Sequence, residues 1–338
     1  MGRGWSQAEL AERAGISRAA VSAIEIQRLV PSVAAALSLA TVFDCRVEEL
    51  FAVPQANPGQ PVWASPPSDD HCRFWHAEVA GRTILYPTED TVLGVIGHDG
   101  LYEHGLFQSR NGSLAEHTLV MASCDPAAAM LATELARKTP FRLLVLPRSS
   151  SDALRMLGEK LVHVAGVHLA KAGQKRGNAS IVKERLGVGY SLMHVARWEE
   201  GVAVAPNLGI KTVTSALRKK LRWVGREPGS GARQCLDELF EDRAAPRLQA
   251  RDHRGVAEAI RCGWADVGVC VRLVSEEAGL KFLSVRNETY DLCFPTDSEG
   301  DPRIKALLEI VRSESYRTLL SELPGYEVAQ AGELERVK

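Results

Sequence analysis

From about residue 116 to residue 330, short apolar runs alternate with stretches of helical periodicity, and this alternation limits the fold more than any other feature. Thr118-Leu119-Val120-Met121-Ala122-Ser123, Phe141 to Leu146 and Val162 to Leu169 have the length and composition of strands. Helices are expected between them, one from Asp125-Pro126 through Arg137 and one from Ala153. Such alternation implies a parallel sheet, in which ligands bind beyond the carboxyl ends of the strands. Three turns fall there: Cys124-Asp125-Pro126, Arg148 to Ser151, and Gly166 to His168. Further on, Leu192 to Pro206 reads as a strand pair through Arg197-Trp198-Glu199-Glu200-Gly201. Gly255 to Cys262 reads as helix, and Asp266 to Val271, Lys281 to Val285 and Tyr290 to Pro295 as strands. Two helices, Pro302 to Ser313 and Ser315 to Leu323, close the pattern. Returning strands near 190–205 and 285–295 predict two lobes around a cleft.

One turn stands out within this pattern. Leu221-Arg222-Trp223-Val224 reads as a strand, and Cys235, Leu236, Leu239 and Phe240 recur at helical spacing. Gly225-Arg226-Glu227-Pro228-Gly229-Ser230-Gly231-Ala232-Arg233 joins them. Pro228 and Gly229 make the turn and Ser230 can cap the helix. The glycines admit close backbone approach, and the helix start offers unpaired N–H donors and partial positive charge. With Arg233 on the first turn, this is either an anion cradle or a Gly-rich turn that binds nothing. It lacks the third glycine of a dinucleotide fingerprint and the Lys-Ser/Thr of a P-loop.

The 338 residues suggest two or three domains, and 45% hydrophobic content supports a sizeable core. A net charge of −1 gives no global signature of a nucleic-acid binder, so any DNA contact must be local. The seven cysteines show no C-x-x-C pair and no metal spacing, which suits free thiols in a reducing cytoplasm. No apolar stretch has the length of a membrane span. No nucleophile–base pair is evident from spacing, and no metal or cofactor is expected. Residues 53–72, with Pro54, Pro58, Pro61, Pro66 and Pro67, read as a linker. Residues 73–115 read as a small β module, with a hairpin turn at Ala80-Gly81. His71, His76, His98 and His104, in the stretch of about 53–115, have no regular metal spacing and read as surface histidines.

Residues 1–52 read as helices. Ser6 and Glu9 form a capping-box pattern, Gly15 ends the first helix, Ser17 caps the second and Pro31-Ser32 opens a third. Short helices joined through a glycine follow the helix-turn-helix plan. The runs Ser6 to Ser17, Val21-Ser22-Ala23-Ile24-Glu25 and Pro31-Ser32 resemble the Cro/repressor-like (XRE-type) DNA-binding domain. The resemblance implies that Ser17, Arg18, Ala19, Ser22 and Ala23 lie at the major groove, with Arg18 suited to guanine, and that Gln7 meets a phosphate. Arg28, where the family usually has glycine, joins the expected DNA-contacting set. Only Met1-Gly2-Arg3-Gly4 precedes the Trp5-Ser6-Gln7 run, so the family's first helix is expected to be truncated.

A second resemblance covers about two hundred residues. Cys124-Asp125-Pro126-Ala127, Ser150 with Leu154, Ala165 to Leu169, Gly201 to Pro206, Arg226 to Arg233 and Ala265-Asp266-Val267-Gly268 resemble the periplasmic-binding-protein-like family, related to molybdate-binding and LysR-type effector domains. It implies a two-lobed (type II) α/β domain over 116–330. It also implies an oxyanion held by Ser149, Ser150 and Ser151 on one side and Gly229, Ser230, Gly231, Ala232 and Arg233 on the other. Asp125 either lines that cleft or caps its helix. His168 either lines it or is a satisfied strand-end histidine. The fold expected is therefore multi-domain: all-α helix-turn-helix, small β module, then the α/β clamp. The function implied is a cytoplasmic, homodimeric one-component regulator that binds operator DNA and senses a molybdate- or tungstate-like anion, with no membrane contact. The alternatives are an enzyme or accessory protein of molybdenum-cofactor metabolism, and a ligand-binding protein that has lost DNA binding.

Overall fold

Local capping signals set the boundaries of the first helices. The computed structural model describes residues 5–25, 29, 31–45, 47–50, 61–67, 69–89, 91, 93–103, 106–110, 114–170, 177–241 and 243–338. They fall into two units, Met1–Gln60 and Pro61–Lys338. In the first, α1 (Gln7–Ala14) opens at Ser6, whose hydroxyl accepts the Glu9 N–H while Glu9 accepts the Ser6 N–H at 2.7 Å. Two orphan donors are thereby satisfied. Gly15, left-handed at φ 66°, ends the helix where a side chain would be strained. The Ser17 hydroxyl accepts the Ala20 N–H at the start of α2 (Arg18–Glu25). Ser32 caps α3 (Val33–Phe43), and α4 (Val47–Leu50) follows. The core is small: Ala11, Ala14, Val21, Ala36, Leu39 and Ala40. Trp5 stacks on Phe43 and carries the Arg13 guanidinium 4.4 Å from its ring centre.

The second unit begins inside the stretch expected to be linker. β1 (Val62–Trp63) pairs with β3 (Arg82–Pro87), which pairs with β2 (His71–Val79). β4 (Gly100–Glu103) and β5 (Leu106–Ser109) complete a five-stranded sheet of order β1-β3-β2-β4-β5. Ala80 and Gly81, both at positive φ, make the tight β2–β3 turn. This sheet shares core with the segment that follows it. Trp75, Ala77, Val79, Ile84 and Tyr86 share one cluster with Val120, Ala122, Leu144, Leu146 and Leu154 of the following segment. Arg142 fixes the contact through a bidentate pair with Asp99, at 2.6 and 2.7 Å. Asp99 also accepts from His76, so His76 is buried and paired, contrary to the surface position expected of it. His71 is exposed and His104 lies outside the described residues.

The larger sheet holds β6 (Thr118–Ser123), β7 (Arg142–Pro147), β8 (Val164–Val167), β9 (Tyr190–Val204), β10 (Trp223–Arg226), β11 (Leu248–Ala250), β12 (Val267–Val271) and β13 (Lys281–Pro295). Its order is β11-β10-β12-β9-β13-β8-β6-β7, with β14 (Tyr326–Glu327) and β15 (Leu334–Arg336) added to β9. β6, β7 and β8 run parallel, as do β10, β11 and β12. Each trio builds a lobe. α5 (Ala128–Lys138), α6 (Ser150–Gly158) and α7 (Gly177–Leu186) cover the first lobe, together with α12 (Pro302–Arg312) and α13 (Glu314–Ser321). α8 (Val213–Arg218), α9 (Gly231–Phe240), α10 (His253–Arg261) and α11 (Arg272–Glu277) cover the second.

The expected strand pair at 192–206 is instead one 15-residue strand, β9, and the two expected strands at 281–285 and 290–295 are one, β13. They pair antiparallel along their length, with register shifts between Ser284 and Arg286 and between Tyr290 and Asp291. Their outer halves meet β12 at one end and β8 at the other. The polar run Arg197 to Glu200 resembles a turn in sequence. In the fold its residues have partners across the strands, with Glu199 on Arg272 and Glu200 on Arg286, so the strand continues. β9 and β13 are thus the crossing between lobes.

Candidate functional site

The parallel strands of both lobes end at the same seam, and their last residues meet there. Cys124 follows β6, His168 follows β8, Arg226 ends β10, and His253 opens α10 after β11. All four are buried. The crossing strands floor the seam with Trp198 and Glu200 from β9, and Arg286 and Glu288 from β13.

His168 sits at the centre. Its Nδ1 lies 2.7 Å from Glu288 and its Nε2 lies 2.8 Å from the Cys124 sulfur. The carboxylate fixes the proton on Nδ1 and turns Nε2 toward the thiol. Burial disfavours a charged His168, but Cys124 beside it outweighs this and moves the ring above its ordinary value. A cysteine and a histidine thus lie within hydrogen-bond reach, where no nucleophile–base pair was evident from spacing. Residues 124, 168 and 288 are too far apart in the chain for spacing to reveal it.

Arg286 spans the floor. It donates to Glu200 at 3.2 Å, to Glu238 at 2.8 Å, to the Gly231 carbonyl at 3.2 Å and to Glu288. Burial, and Glu288 next to it, push Glu200 up to about 8, so at neutral pH Glu200 keeps its proton and one of its oxygens has no partner. Arg226 is 1% exposed. Two of its nitrogens hold Glu227 at 2.9 Å, and its third, Nη1, is buried without a partner. His253 is likewise 1% exposed, with neither ring nitrogen bonded. Burial and then the Arg226 charge hold it neutral, well below the ordinary histidine value. An unpaired donor away from water costs about 1–3 kcal/mol, so these two side chains mark where a bound group would be stabilised.

The residues expected to form the cleft are brought together, but mostly against one another. The Ser149 hydroxyl caps α6 by accepting the Asp152 N–H. The Ser150 hydroxyl accepts the His168 N–H at 3.2 Å. Ser151 donates its N–H across the seam to the Gly229 carbonyl at 3.3 Å, and its hydroxyl is buried without a partner. Ser230 caps α9 by accepting the Arg233 N–H. Gly231 packs so tightly on His168 that a Cβ there would overlap its ring and carbonyl oxygen. Ala232 is buried in the second lobe's core. Arg233 is engaged by Asp237 at 2.7 Å and by the Arg226 carbonyl, at the rim of a pocket of about 700 Å³ that Ser151, Gly229 and Ser230 also line. Asp125 acts as a turn acceptor for the Ala127 N–H and the Tyr326 hydroxyl, and burial raises it to about 6.

In the first unit, Ser17 just before α2 and Arg18 and Ala19 on it are exposed, and Ser22 and Ala23 are half-buried. The Gln7 side chain donates to Glu25 at 2.7 Å, tying the start of α1 to the end of α2. Arg28 lies outside the described residues.

Sequence reasoning passed over Cys124, Glu200, Arg226, His253, Arg286 and Glu288 as site residues. The available signal was charge inside apolar strands: Glu199-Glu200 in β9 and Arg286-Asn287-Glu288 in β13, where a buried ion requires a partner.

The chain carries a helix-turn-helix unit and a two-lobed α/β domain, and both are matched by known families. The chain belongs to the PBP superfamily domain family, which it matches over residues 132–312, and residues 2–50 match a helix-turn-helix family. It is similar to the uncharacterized protein YvgK of Bacillus subtilis (strain 168), 28% identical over 208 residues, covering 59% of this chain and 66% of that one. The chain thus spans slightly under two thirds of that relative's length. A protein encoded in the 5′ region of a ferredoxin 2Fe-2S gene of Clostridium pasteurianum is 28% identical over 87 residues, 24% of this chain and 74% of its own. Among solved structures, a putative phosphate ABC transporter substrate-binding protein of Clostridium perfringens aligns with TM-score 0.47 at 11% identity, covering 65% of this chain and all of that one. PhnD1 of Prochlorococcus marinus (MIT 9301), solved with methylphosphonate, aligns with TM-score 0.45 at 16% identity, covering 64% and 93%. Among the described residues no helix is long and apolar enough to cross a membrane.

Proposed function

We propose that the protein is a one-component transcriptional regulator whose clamp senses a small anion and whose helix-turn-helix reads operator DNA through Ser17, Arg18, Ala19, Ser22 and Ala23. The observation that carries the ligand class is Arg226. Its charge is buried at the meeting point of both lobes, with Nη1 unpaired and His253 beside it. An anionic group there gains charge-assisted hydrogen bonds from lobe 2 while resting on the Cys124 and His168 turns of lobe 1. Such a ligand contacts both lobes and so favours their closure. The Ser151–Gly229 bond and the Gly231–His168 contact are then the latch. Ser149–Ser151 and Ser230–Arg233 wall the seam, and Arg233 guards its rim. Two DNA-reading heads in a homodimer would convert closure into altered operator spacing, and light scattering that finds only monomer with and without ligand contradicts that part.

Calorimetry with phosphate, sulfate, molybdate and tungstate tests the anion. At least one binds, and Arg226→Gln weakens it by about 1.5–3 kcal/mol, as for a hydrogen bond to a charged group. Arg233→Ala, with Arg233 already engaged by Asp237, has a smaller effect. Binding of none, or affinity unchanged in Arg226→Gln, contradicts the reading.

A further inference from the structure

Cys124, His168 and His253 converge at the seam, one ligand atom from each lying within 4.8 Å of the others, and all three are buried. We propose that they form a site for a soft or borderline transition-metal cation such as Zn²⁺, with a fourth position open to an exogenous ligand. Thiolate and imidazole are the donors such cations select. Tetrahedral zinc, with bonds of about 2.3 Å to sulfur and about 2.0–2.1 Å to nitrogen, holds its ligands roughly 3.5 Å apart. Cys124 Sγ and His168 Nε2, now 2.8 Å apart, need only separate slightly to admit it.

The surroundings fit. Glu288 on His168 Nδ1 makes the carboxylate–histidine–metal arrangement that orients a ligating ring. His253 supplies the second, independent observation. It is nine-tenths buried or more, and both ring nitrogens lack any partner. Cys124 and His168 alone describe a thiol and its base, and His253 adds nothing to that pair. As a third ligand its position is accounted for. A metal takes the thiolate form of cysteine, so binding releases the Cys124 thiol proton to solvent. Arg226, close by with Nη1 unpaired, favours an anion at the open position. The fourth position rests on the anion reading; the three-residue site does not.

The test uses the full chain, stripped with chelator and titrated with Co²⁺ and then Zn²⁺. The expected result is one Co²⁺ per chain, thiolate-to-cobalt charge-transfer absorption in the near ultraviolet, tetrahedral visible bands, and displacement by Zn²⁺. Cys124→Ser abolishes the charge-transfer absorption and His253→Gln weakens binding at least tenfold. Glu288→Gln, which keeps all three ligands, weakens it roughly 10–100-fold. If Cys124→Ser fails to fold, the loss of affinity in His253→Gln and the wild-type stoichiometry decide the matter. No thiolate absorption in the wild type, or absorption that persists in Cys124→Ser and so comes from another cysteine, overturns the proposal. Anion calorimetry on metal-stripped protein separates this failure from that of the anion reading.

Discussion

Replacing Gly231 with alanine should hold the lobes apart. The glycine is the first residue of α9, in the second lobe, and its φ is in the ordinary range, so alanine costs its own lobe nothing in backbone strain. The obstacle is across the seam. The new methyl would overlap the Nδ1 and Cε1 atoms of His168 and its carbonyl oxygen. None of these gives way cheaply, because the ring is held by Glu288 and Cys124 and the oxygen is backbone. Overpacking of this kind costs about 1–3 kcal/mol. The cost falls on the closed state alone, so it appears as a loss of ligand affinity of roughly 5- to 150-fold at about 1.4 kcal/mol per decade. Calorimetry with the tightest-binding oxoanion measures it, and small-angle scattering of the segment from residue 61 onward should show a more open ligated form. Gly300→Ala is the control, since nothing lies within 4 Å of a Cβ there. Affinity within twofold of wild type in Gly231→Ala refutes the argument that closure around this contact accompanies binding.

Acid stability should fall in two steps. Burial alone would raise Asp99, but its bonds to Arg142 and His76 hold it at about 2. A folded value below the unfolded one stabilises above pH 3.8, and that stability, about 2 kcal/mol, is lost as pH falls toward 2. His163 is held at about 4, first by burial and then by Arg303. Its Nδ1 accepts the Val120 N–H, so its proton is on Nε2, toward the Glu78 carbonyl. The native state resists a second proton, and about 3 kcal/mol is lost between pH 6.5 and 4. Denaturant titration across pH shows both steps, and Asp99→Asn and His163→Asn each flatten one; profiles unchanged in the variants contradict this. In the helix-turn-helix unit, the proposed docking predicts that Arg18→Ala costs about 1–3 kcal/mol at a single base position in binding-site selection, whereas Gln7→Ala weakens all sequences evenly. An even loss from Arg18→Ala argues against the docking.

Local chemistry made much of the fold legible. The Ser6–Glu9 box, the Gly15 stop and the Ser32 cap act within a few residues, so the helices of the first unit could be read directly. β6 falls on the apolar run expected of it because that run is buried on both faces. The continuity of β9 and β13 was hidden, since a charged run reads as a turn until its partners on other elements are known. The candidate site was hidden for the same reason. Cys124, His168, Arg226 and His253 each end a different strand or open a different helix, and only the sheet order brings them together. Gly231 was singled out for close backbone approach, and it does make one, to His168 rather than to a ligand.

The central claim, that ligand in the clamp alters DNA binding, is tested most directly by the coupling between the two. A fragment selected from a random-sequence pool on the intact chain is titrated with and without a saturating oxoanion that calorimetry has shown to bind. Allosteric coupling of about 1–3 kcal/mol predicts a change in DNA affinity of roughly 5- to 150-fold, abolished in Arg226→Gln. Equal DNA affinity in the two conditions, with the anion demonstrably bound, would contradict the account.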